Sequence, residues 1–440
     1  MKRFILTFII LILAGGFMLN AGIFPFKTYE KTLDNGFKII AIPLSNPGLV
    51  VYYSVVRTGS RDEYEEGHTG FAHFFEHMMF HGTAKFPKAL FEKIVNEMGA
   101  ETNAFTTDDL TAFHLKFAKE DLERVMELES DRFQGLEYDE RPFKTESGAV
   151  YGEYLKGKAS PWSLLWEELL FTAFDKHTYK HDTIGFEKDV IAMPTMYEFS
   201  KSFFNRYYRP ENVVLLVTGD IDPENVFKLA EKYYSKWEKG YVPPKIPVEP
   251  EQTAPRAKTV QFKGKTLPIL AIAYKGSAFA PESKEYVASH ILGDIMFDTT
   301  SDLYSKLVLT EQKVQFVEPI FGMNRDPNLN IVIAMVKKKD DVDYVKAEIE
   351  KTLQKYRSEL MDKKKLDELK SNLKYSFLMR LNSADRVAGS LTRLIAITGG
   401  IEAIDRYYAT LETISPEDIK QAAEKYFTDN RKTEILLLGE

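Results

Sequence analysis

The sequence predicts an α+β protein built from two homologous α/β domains, each with an antiparallel-rich sheet packed against helices. Three observations predict this fold class. A proline-rich segment divides the chain near its middle, the two halves repeat one pattern of elements, and strand-like apolar runs alternate with long helical patterns in both halves. Because each such element must bury its apolar face against another, the pattern favours two layered units over one.

Residues 239–256 are expected to link the two domains. Five of the 19 prolines lie between Pro243 and Pro255. Proline has no backbone N–H and its ring fixes φ, so this segment cannot form a helix or a central strand. The predicted domains therefore span 26–238 and 257–440.

The two halves also share residues. A predicted helix from His73 to Phe80 matches one from His290 to Phe297 at a constant offset of 217 residues, and the second copy has Gly293 and Asp294 where the first has a Glu-His pair. This agreement indicates a duplicated domain whose second copy has lost polar side chains. Apolar runs predict strands at 50–56, 213–219, 268–274 and 434–439, and helical periodicity predicts helices at 121–137, 223–237 and 342–359.

Composition excludes several classes of function. The 58 Lys and Arg residues against 65 Asp and Glu give a net charge of −7 without a long block of either sign, which disfavours a nucleic-acid partner. A hydrophobic content of 44% is enough for packed cores and excludes a mainly disordered chain. The sequence has no cysteine, so thiol nucleophiles and thiolate metal sites are excluded, and any metal must be held by histidines and carboxylates.

The first 21 residues are expected to be a targeting segment and not part of the fold. Lys2 and Arg3 precede an uncharged, mostly apolar run over residues 4–19, a pattern typical of a signal peptide that ends near Ala21. The run is also close to the length of a short transmembrane span, so an uncleaved N-terminal anchor stays open as the alternative. The protein is therefore expected to be exported to the periplasm or the extracellular space, with membrane contact only through this segment.

A cluster of histidines is the strongest chemical signal in the chain. Four of the eight histidines lie within residues 68–81, and two of them, His73 and His77, are four positions apart. On a helix they project from one face, at a spacing that allows both imidazoles to bind one tetrahedral ion. Glu76 lies on the same face, where it can act as a general base beside the ion. The order His-x-x-Glu-His is the signature of inverzincins, although surface histidines give a chance match in some chains.

A catalytic zinc site needs a third protein ligand, and two glutamates are candidates. Glu146 and Glu153 lie seven positions apart in a segment compatible with a helix, so they share a face. Either one can bind the metal while the other supports the ligands or a proton transfer. Without the upstream histidines, ordinary exposed acidic residues would be the simpler explanation.

Through these motifs the chain resembles the pitrilysin family, the inverzincin zinc peptidases, in its half-size form. The resemblance covers nearly the whole chain after the N-terminal segment. Besides the histidine motif and the glutamate pair, it rests on the segments 33–40, 59–63, 82–83, 99–106, 177–185 and 208–212.

The resemblance implies a zinc endopeptidase with one zinc per chain, acting on peptides or unfolded protein segments. It assigns the ligands to His73, His77 and Glu153, the general base to Glu76, and to Glu146 a catalytic role without metal binding. It also implies that the second domain is a homologue without the metal motif. An edge strand would bind the backbone of an extended peptide substrate. Its residues are Asn103, Ala104, Phe105 and Thr106.

The resemblance also implies a second homologous chain as partner, in a heterodimer or a homodimer. Active members of the family carry an Arg and, seven residues later, a Tyr in the second domain, where they steady the substrate backbone and the oxyanion. Val308 and Gln315 stand at those places here. We therefore expect a heterodimer in which the partner supplies the missing pair, and a non-catalytic structural or binding subunit stays open as the alternative function.

Overall fold

The computed structural model describes residues 22–440 and contains two β-sheets, each packed against helices. The strands of the first sheet have the spatial order β1-β2-β6-β3-β5-β4, and those of the second have the order β7-β11-β8-β10-β9. In the first sheet they are β1 (Tyr29–Thr32), β2 (Lys38–Pro43), β3 (Leu49–Val56), β4 (Glu101–Thr106), β5 (Thr111–Ala118) and β6 (Val213–Gly219). In the second they are β7 (Arg256–Phe262), β8 (Ile269–Lys275), β9 (Val314–Phe321), β10 (Leu329–Val336) and β11 (Lys432–Gly439).

The two sheets have the same connectivity once the extra edge strand β1 is set aside. Each contains one parallel pair, β2 with β6 and β7 with β11. The remaining neighbours pair antiparallel. The predicted fold class of two similar domains with antiparallel-rich sheets is therefore confirmed. In this correspondence β4 and β9 are equivalent edge strands.

Helices fill the connections between the strands. In the first half they are α1 (Phe71–Met78), α2 (Lys88–Glu97), α3 (Leu122–Gly135), α4 (Glu140–Lys158), α5 (Pro161–Ala173), α6 (Glu187–Ala192), α7 (Tyr197–Tyr207) and α8 (Pro223–Tyr234). In the second half they are α9 (Lys284–Phe297), α10 (Asp302–Tyr304), α11 (Val342–Ser358), α12 (Lys363–Arg380), α13 (Ala384–Thr398), α14 (Ala403–Glu412) and α15 (Pro416–Tyr426). Residues 237–255, which include most of the expected linker, carry no helix or strand; the domain boundaries stay a prediction.

Each half contributes one helix to the sheet of the other half. Helix α13 buries Leu391 and Ile395 against the first sheet, in a cluster with Tyr53 and Leu216. Helix α5 covers the second sheet in the same way, and its Leu165 and Leu169 pack with Ile269, Ala271 and Ile435. Burial of these apolar faces ties the two halves into one folded unit, since neither sheet is covered by its own half alone.

Within residues 22–440, no single helix is long and apolar enough to cross a bilayer. The consecutive helices α13 and α14 meet that criterion of length and composition only as a pair bent by 95°. The predicted signal peptide or anchor at residues 1–21 lies outside the described residues.

Candidate functional site

The histidine motif lies on α1, whose first turn is fixed by a buried carboxylate. Glu63 accepts hydrogen bonds from the backbone N–H groups of Gly70 and Ala72, both at 2.7 Å. A carboxylate at a helix N-terminus satisfies free N–H groups and interacts favourably with the helix dipole. Gly70 has φ 92°, and a Cβ there would lie 2.7 Å from the carbonyl oxygen of Ile184. The entry to α1 therefore requires glycine and sets the direction in which the motif side chains project.

Three of the predicted site residues converge at one point. Glu153 Oε2 lies 3.7 Å from His73 Nε2 and 3.5 Å from His77 Nε2. One ligand atom from each of the three residues lies within 4.8 Å of the others. Zinc–nitrogen and zinc–oxygen bonds of about 2.0–2.2 Å in a tetrahedron place neighbouring ligand atoms roughly 3.3–3.6 Å apart. The spacing of these three residues therefore fits a zinc ion.

Glu146 lies on the same face of α4 as Glu153, two turns earlier, and contacts two histidines. Its Oε1 is 2.8 Å from His77 Nδ1 and its Oε2 is 2.7 Å from His81 Nε2. These hydrogen bonds hold the pKa of Glu146 at about 2, so the carboxylate is ionised at neutral pH. A proton on Nδ1 of His77 directs the lone pair of Nε2 toward Glu153, as a metal ligand requires. His81 is not among the predicted site residues, although its spacing of four residues from His77 places it about one helical turn away.

The two histidines that converge on Glu153 differ in their electrostatics. Burial and the neighbouring His77 lower the pKa of His73, which favours the neutral imidazole that a metal needs. The hydrogen bond from His77 to Glu146 instead raises the pKa of His77.

Glu76 is connected to the predicted substrate strand. The hydroxyl of Thr106 donates a hydrogen bond of 2.7 Å to Glu76 Oε2. Thr106 is the last residue of β4, and among residues 22–440 β4 pairs only with β5. The other edge of β4 therefore carries unpaired backbone groups beside Glu76, with Phe105 partly exposed along the strand. The structure thus places all four predicted strand residues on β4 and brings the last of them, Thr106, into contact with the predicted base.

A cavity of about 230 Å³ opens beside His73 and Glu153. It adjoins a wider groove of about 1000 Å³, and both are lined by Glu167, His181 and Phe186. The space next to the three converging residues therefore shares part of its lining with a groove large enough for an extended segment.

The second half contains no comparable group among the described residues. Val308 packs against the core of the second domain, and Gln315 is exposed on the edge strand β9. The loss of the family's Arg and Tyr pair from this chain stays a prediction. The contacts of Val308 and Gln315 within this chain do not identify residues that would replace that pair.

Comparison with known proteins agrees with the duplicated fold. A family model described as Insulinase (Peptidase family M16) matches residues 50–186, and one described as Peptidase M16 inactive domain matches residues 197–373. The first match contains the whole histidine and glutamate group, and the second covers much of the half that lacks it.

Individual proteins are also similar to this chain over most of its length. Zinc protease PqqE from Helicobacter pylori is 29% identical over 98% of this chain and 97% of its own length. The crystal structure of a protease from Helicobacter pylori has a TM-score of 0.86 at 28% identity, over 93% of this chain and 99% of that chain. The periplasmic protease PqqL from Escherichia coli shares the fold with a TM-score of 0.76 at 18% identity, over 94% of this chain and 47% of that chain. Because two models of one family match consecutive segments, 50–186 and 197–373, of a chain that also has that family's fold, the chain belongs to peptidase family M16, the pitrilysin-type family, as a half-size member.

Proposed function

We propose that this chain is a zinc-dependent endopeptidase that hydrolyses peptides or unfolded protein segments outside the cytoplasm. The observation that carries the proposal is the convergence of His73, His77 and Glu153 beside an edge strand whose last residue binds Glu76. A ligand set, a base and a strand for the substrate backbone are the parts that metal-assisted peptide hydrolysis needs.

The chemistry follows from the position of each side chain. Zinc bound by the three residues would supply a Lewis acid that polarises the scissile carbonyl and lowers the pKa of the attacking water. The Thr106 hydroxyl holds Oε2 of Glu76, so Oε1 is left to take a proton from that water and return it to the leaving amine. Glu146 orients His77 and keeps its Nε2 lone pair on the metal side.

The substrate would bind as an additional strand along β4. Backbone hydrogen bonds to the free edge give affinity without a strict requirement on sequence, which suits a peptidase of extended segments. The groove that shares Glu167, His181 and Phe186 with the cavity beside His73 and Glu153 would give the rest of the peptide a path away from the site.

We further propose that the chain works with a second homologous chain, and that a heterodimer is the active form. Val308 has no side-chain donor and Gln315 carries only a neutral amide where the family has the charged Arg and the Tyr hydroxyl, and losing oxyanion donors costs on the order of 10² to 10³ in turnover. The chain also spans 47% of the E. coli protease with the same fold, which leaves room in that protein for a second unit of this size.

Export is supported by the residues of the N-terminal segment and by the periplasmic location in the printed name of the E. coli relative. Fusion of residues 1–25 to a reporter that is active only outside the cytoplasm should give signal, with a mature N-terminus near Gly22. A full-length cytoplasmic product would overturn this part of the proposal.

The catalytic proposal is tested with the purified chain and an internally quenched flexible peptide, alone and with a candidate homologous partner. We expect one zinc per chain by elemental analysis, loss of hydrolysis with a chelator, and recovery when zinc is returned. Glu76→Gln should keep the zinc and lose about 10² to 10⁴ in turnover, because it removes the base and no ligand. The matched control is Glu92→Gln, an exposed glutamate on α2, which should retain wild-type turnover.

Two results would contradict the proposal. Wild-type turnover in Glu76→Gln would exclude this mechanism. A zinc-loaded chain that hydrolyses no peptide, alone or with its partner, would support the non-catalytic subunit instead.

A further inference from the structure

The turn between β4 and β5, residues 107–110, is held by the second domain. The side-chain amide of Asn324 donates hydrogen bonds to Asp108 and, at 3.3 Å, to Asp109. The backbone N–H of Arg325 donates to Asp109 Oδ2 at 3.1 Å. Asn324 and Arg325 lie in the loop between β9 and β10, so the tip of that hairpin contacts the turn directly.

Two arginines of the second half complete this contact. Arg325 Nη2 donates to the carbonyl oxygens of Asp109, at 3.1 Å, and of Arg57, at 2.7 Å. Arg393, on α13, donates from Nη2 to Asp108 Oδ1 at 2.8 Å and from Nε to the carbonyl oxygen of Met323 at 2.6 Å. Arg393 thus binds both the turn and the loop that contacts it.

The contact is deeply buried on the side of the first domain. Asp109 is fully buried and also accepts a hydrogen bond of 2.9 Å from the hydroxyl of Tyr179. Buried hydrogen bonds to charged groups have narrow geometry and are costly to break, so they fix the position of the backbone that carries them. Residues 107–110 are therefore held in one position relative to the second domain.

The turn 107–110 is linked to the candidate catalytic base, Glu76, through Thr106. Thr106 precedes it in sequence, and the N–H of Thr107 donates to the carbonyl oxygen of Leu110 at 2.8 Å, which closes the turn. The hydroxyl of Thr106 then donates to Glu76 Oε2. Only Thr107 separates Thr106 from Asp108, so a shift of the turn moves the hydroxyl that holds Glu76.

We propose that Asn324 and Arg393 are positioning residues for Glu76, acting through the turn 107–110 and Thr106. The inference rests on the proposed peptidase function. By this inference the second domain, which lacks the metal motif, contributes to the geometry of the active site. The tip of its β9–β10 hairpin fixes the position of the edge strand β4 relative to Glu76.

The test compares Asn324→Ala with a control that breaks a different contact between the halves. Thr218→Val removes a buried hydrogen bond of 2.9 Å from β6 to the carbonyl oxygen of Ala384 on α13, far along the chain from the turn. We expect Asn324→Ala to keep its zinc and to lose roughly 10 to 100-fold in kcat, the usual cost of misplacing a catalytic group. Thr218→Val should lower only the melting temperature. Asp108→Asn, a milder change at a half-buried residue, replaces Asn324→Ala if that variant does not fold.

A double-mutant cycle separates positioning from general destabilisation. Thr106→Val removes the hydroxyl that holds Glu76, so in that background Asn324→Ala should reduce kcat by less than about 2-fold, because the route to the base is already broken. Their effects on the free energy of unfolding should still add. Effects on kcat that multiply, or an Asn324→Ala variant with wild-type kcat, would overturn the inference.

Hydrogen exchange of residues 101–106 gives a readout that does not depend on activity. Asn324→Ala should raise exchange in β4, and Thr218→Val should not. A wild-type chain that hydrolyses no peptide, alone or with its partner, refutes the proposed function, whereas exchange still decides whether the second domain fixes β4. Equal exchange in Asn324→Ala and wild type would overturn the inference in either case.

Discussion

The equivalent helices α1 and α9 show how one scaffold forms a candidate site in one half and a packed core in the other. Each helix faces the edge strand of its own sheet. On α1, Glu76 reaches the end of β4 through the hydroxyl of Thr106. On α9, Gly293 stands at the corresponding position, and a Cβ there would lie 3.0 Å from the ring of Phe321 and 3.1 Å from Pro319 on β9. The strand thus occupies the space that Glu76, the predicted base, fills in the first half.

The paired histidines differ in the same way. His73 lines a cavity and converges with Glu153. His290 is bound through Nδ1 to the Tyr407 hydroxyl at 2.8 Å, and burial lowers its pKa to about 4. On the same backbone, a few side chains therefore determine whether the helix forms a candidate site or part of a packed core. For this reason function must be argued from the site and not from the fold.

The largest expected effect comes from replacing a predicted zinc ligand on α1. The same change at the equivalent position of α9 serves as its comparison. His77→Ala should lose both zinc and peptide hydrolysis, because a catalytic zinc site needs three protein ligands. Asp294→Ala changes the equivalent position of α9 and should leave zinc content and turnover at the wild-type level. Zinc analysis and a peptide assay check both variants; a loss of zinc in Asp294→Ala would show that the second half also binds metal.

The next effect separates the two glutamates of α4. Glu153→Gln should weaken zinc binding severely because a ligand is lost. Glu146→Gln should mainly lower turnover, with affinity changed by at most about 10 to 100-fold, since Glu146 only orients His77. Zinc titration of both variants against a competing chelator measures the difference, and equal affinities would remove the distinction between ligand and support.

A third prediction exchanges the side chains that distinguish the two helices. Gly293→Glu places a charged side chain against Phe321 in a packed region, and we expect the free energy of unfolding to fall by about 3 kcal/mol. Glu76→Gly has no such clash and should cost about 1 kcal/mol through helix propensity. Denaturant unfolding measures both. If Gly293→Glu left the free energy of unfolding unchanged, β9 would have to move easily to accommodate the new side chain. The second half would then retain room for a site.

The parts of the fold that depend on local pattern were predictable from the sequence. The helix carrying His73 and His77 and the shared face of Glu146 and Glu153 follow from spacing within one element, whereas the strand ending at Thr106 came only from the family resemblance. The exchange of α5 and α13 between the halves was missed, because an apolar helix face does not reveal which sheet will cover it. The contact of Asn324 with Asp108 was missed for a related reason: it joins residues 216 positions apart, and nothing in either segment indicates the other.

The last prediction tests whether His290 is buried in the folded second half. Its pKa of about 4 in the folded state lies below the value of about 6.5 expected in an unfolded chain. Between these values only the unfolded chain takes up the proton, so the free energy of unfolding decreases as pH falls from 6.5 to 4, by about 2 kcal/mol at pH 4.5. His290→Gln removes the titrating group and keeps a partner for Tyr407. The difference in unfolding free energy between the variant and wild type should therefore shift by about 2 kcal/mol in favour of the variant between pH 7.5 and pH 4.5. A difference that does not change with pH would mean that His290 takes up its proton in the folded protein, and that the second half is open where the first half has its site.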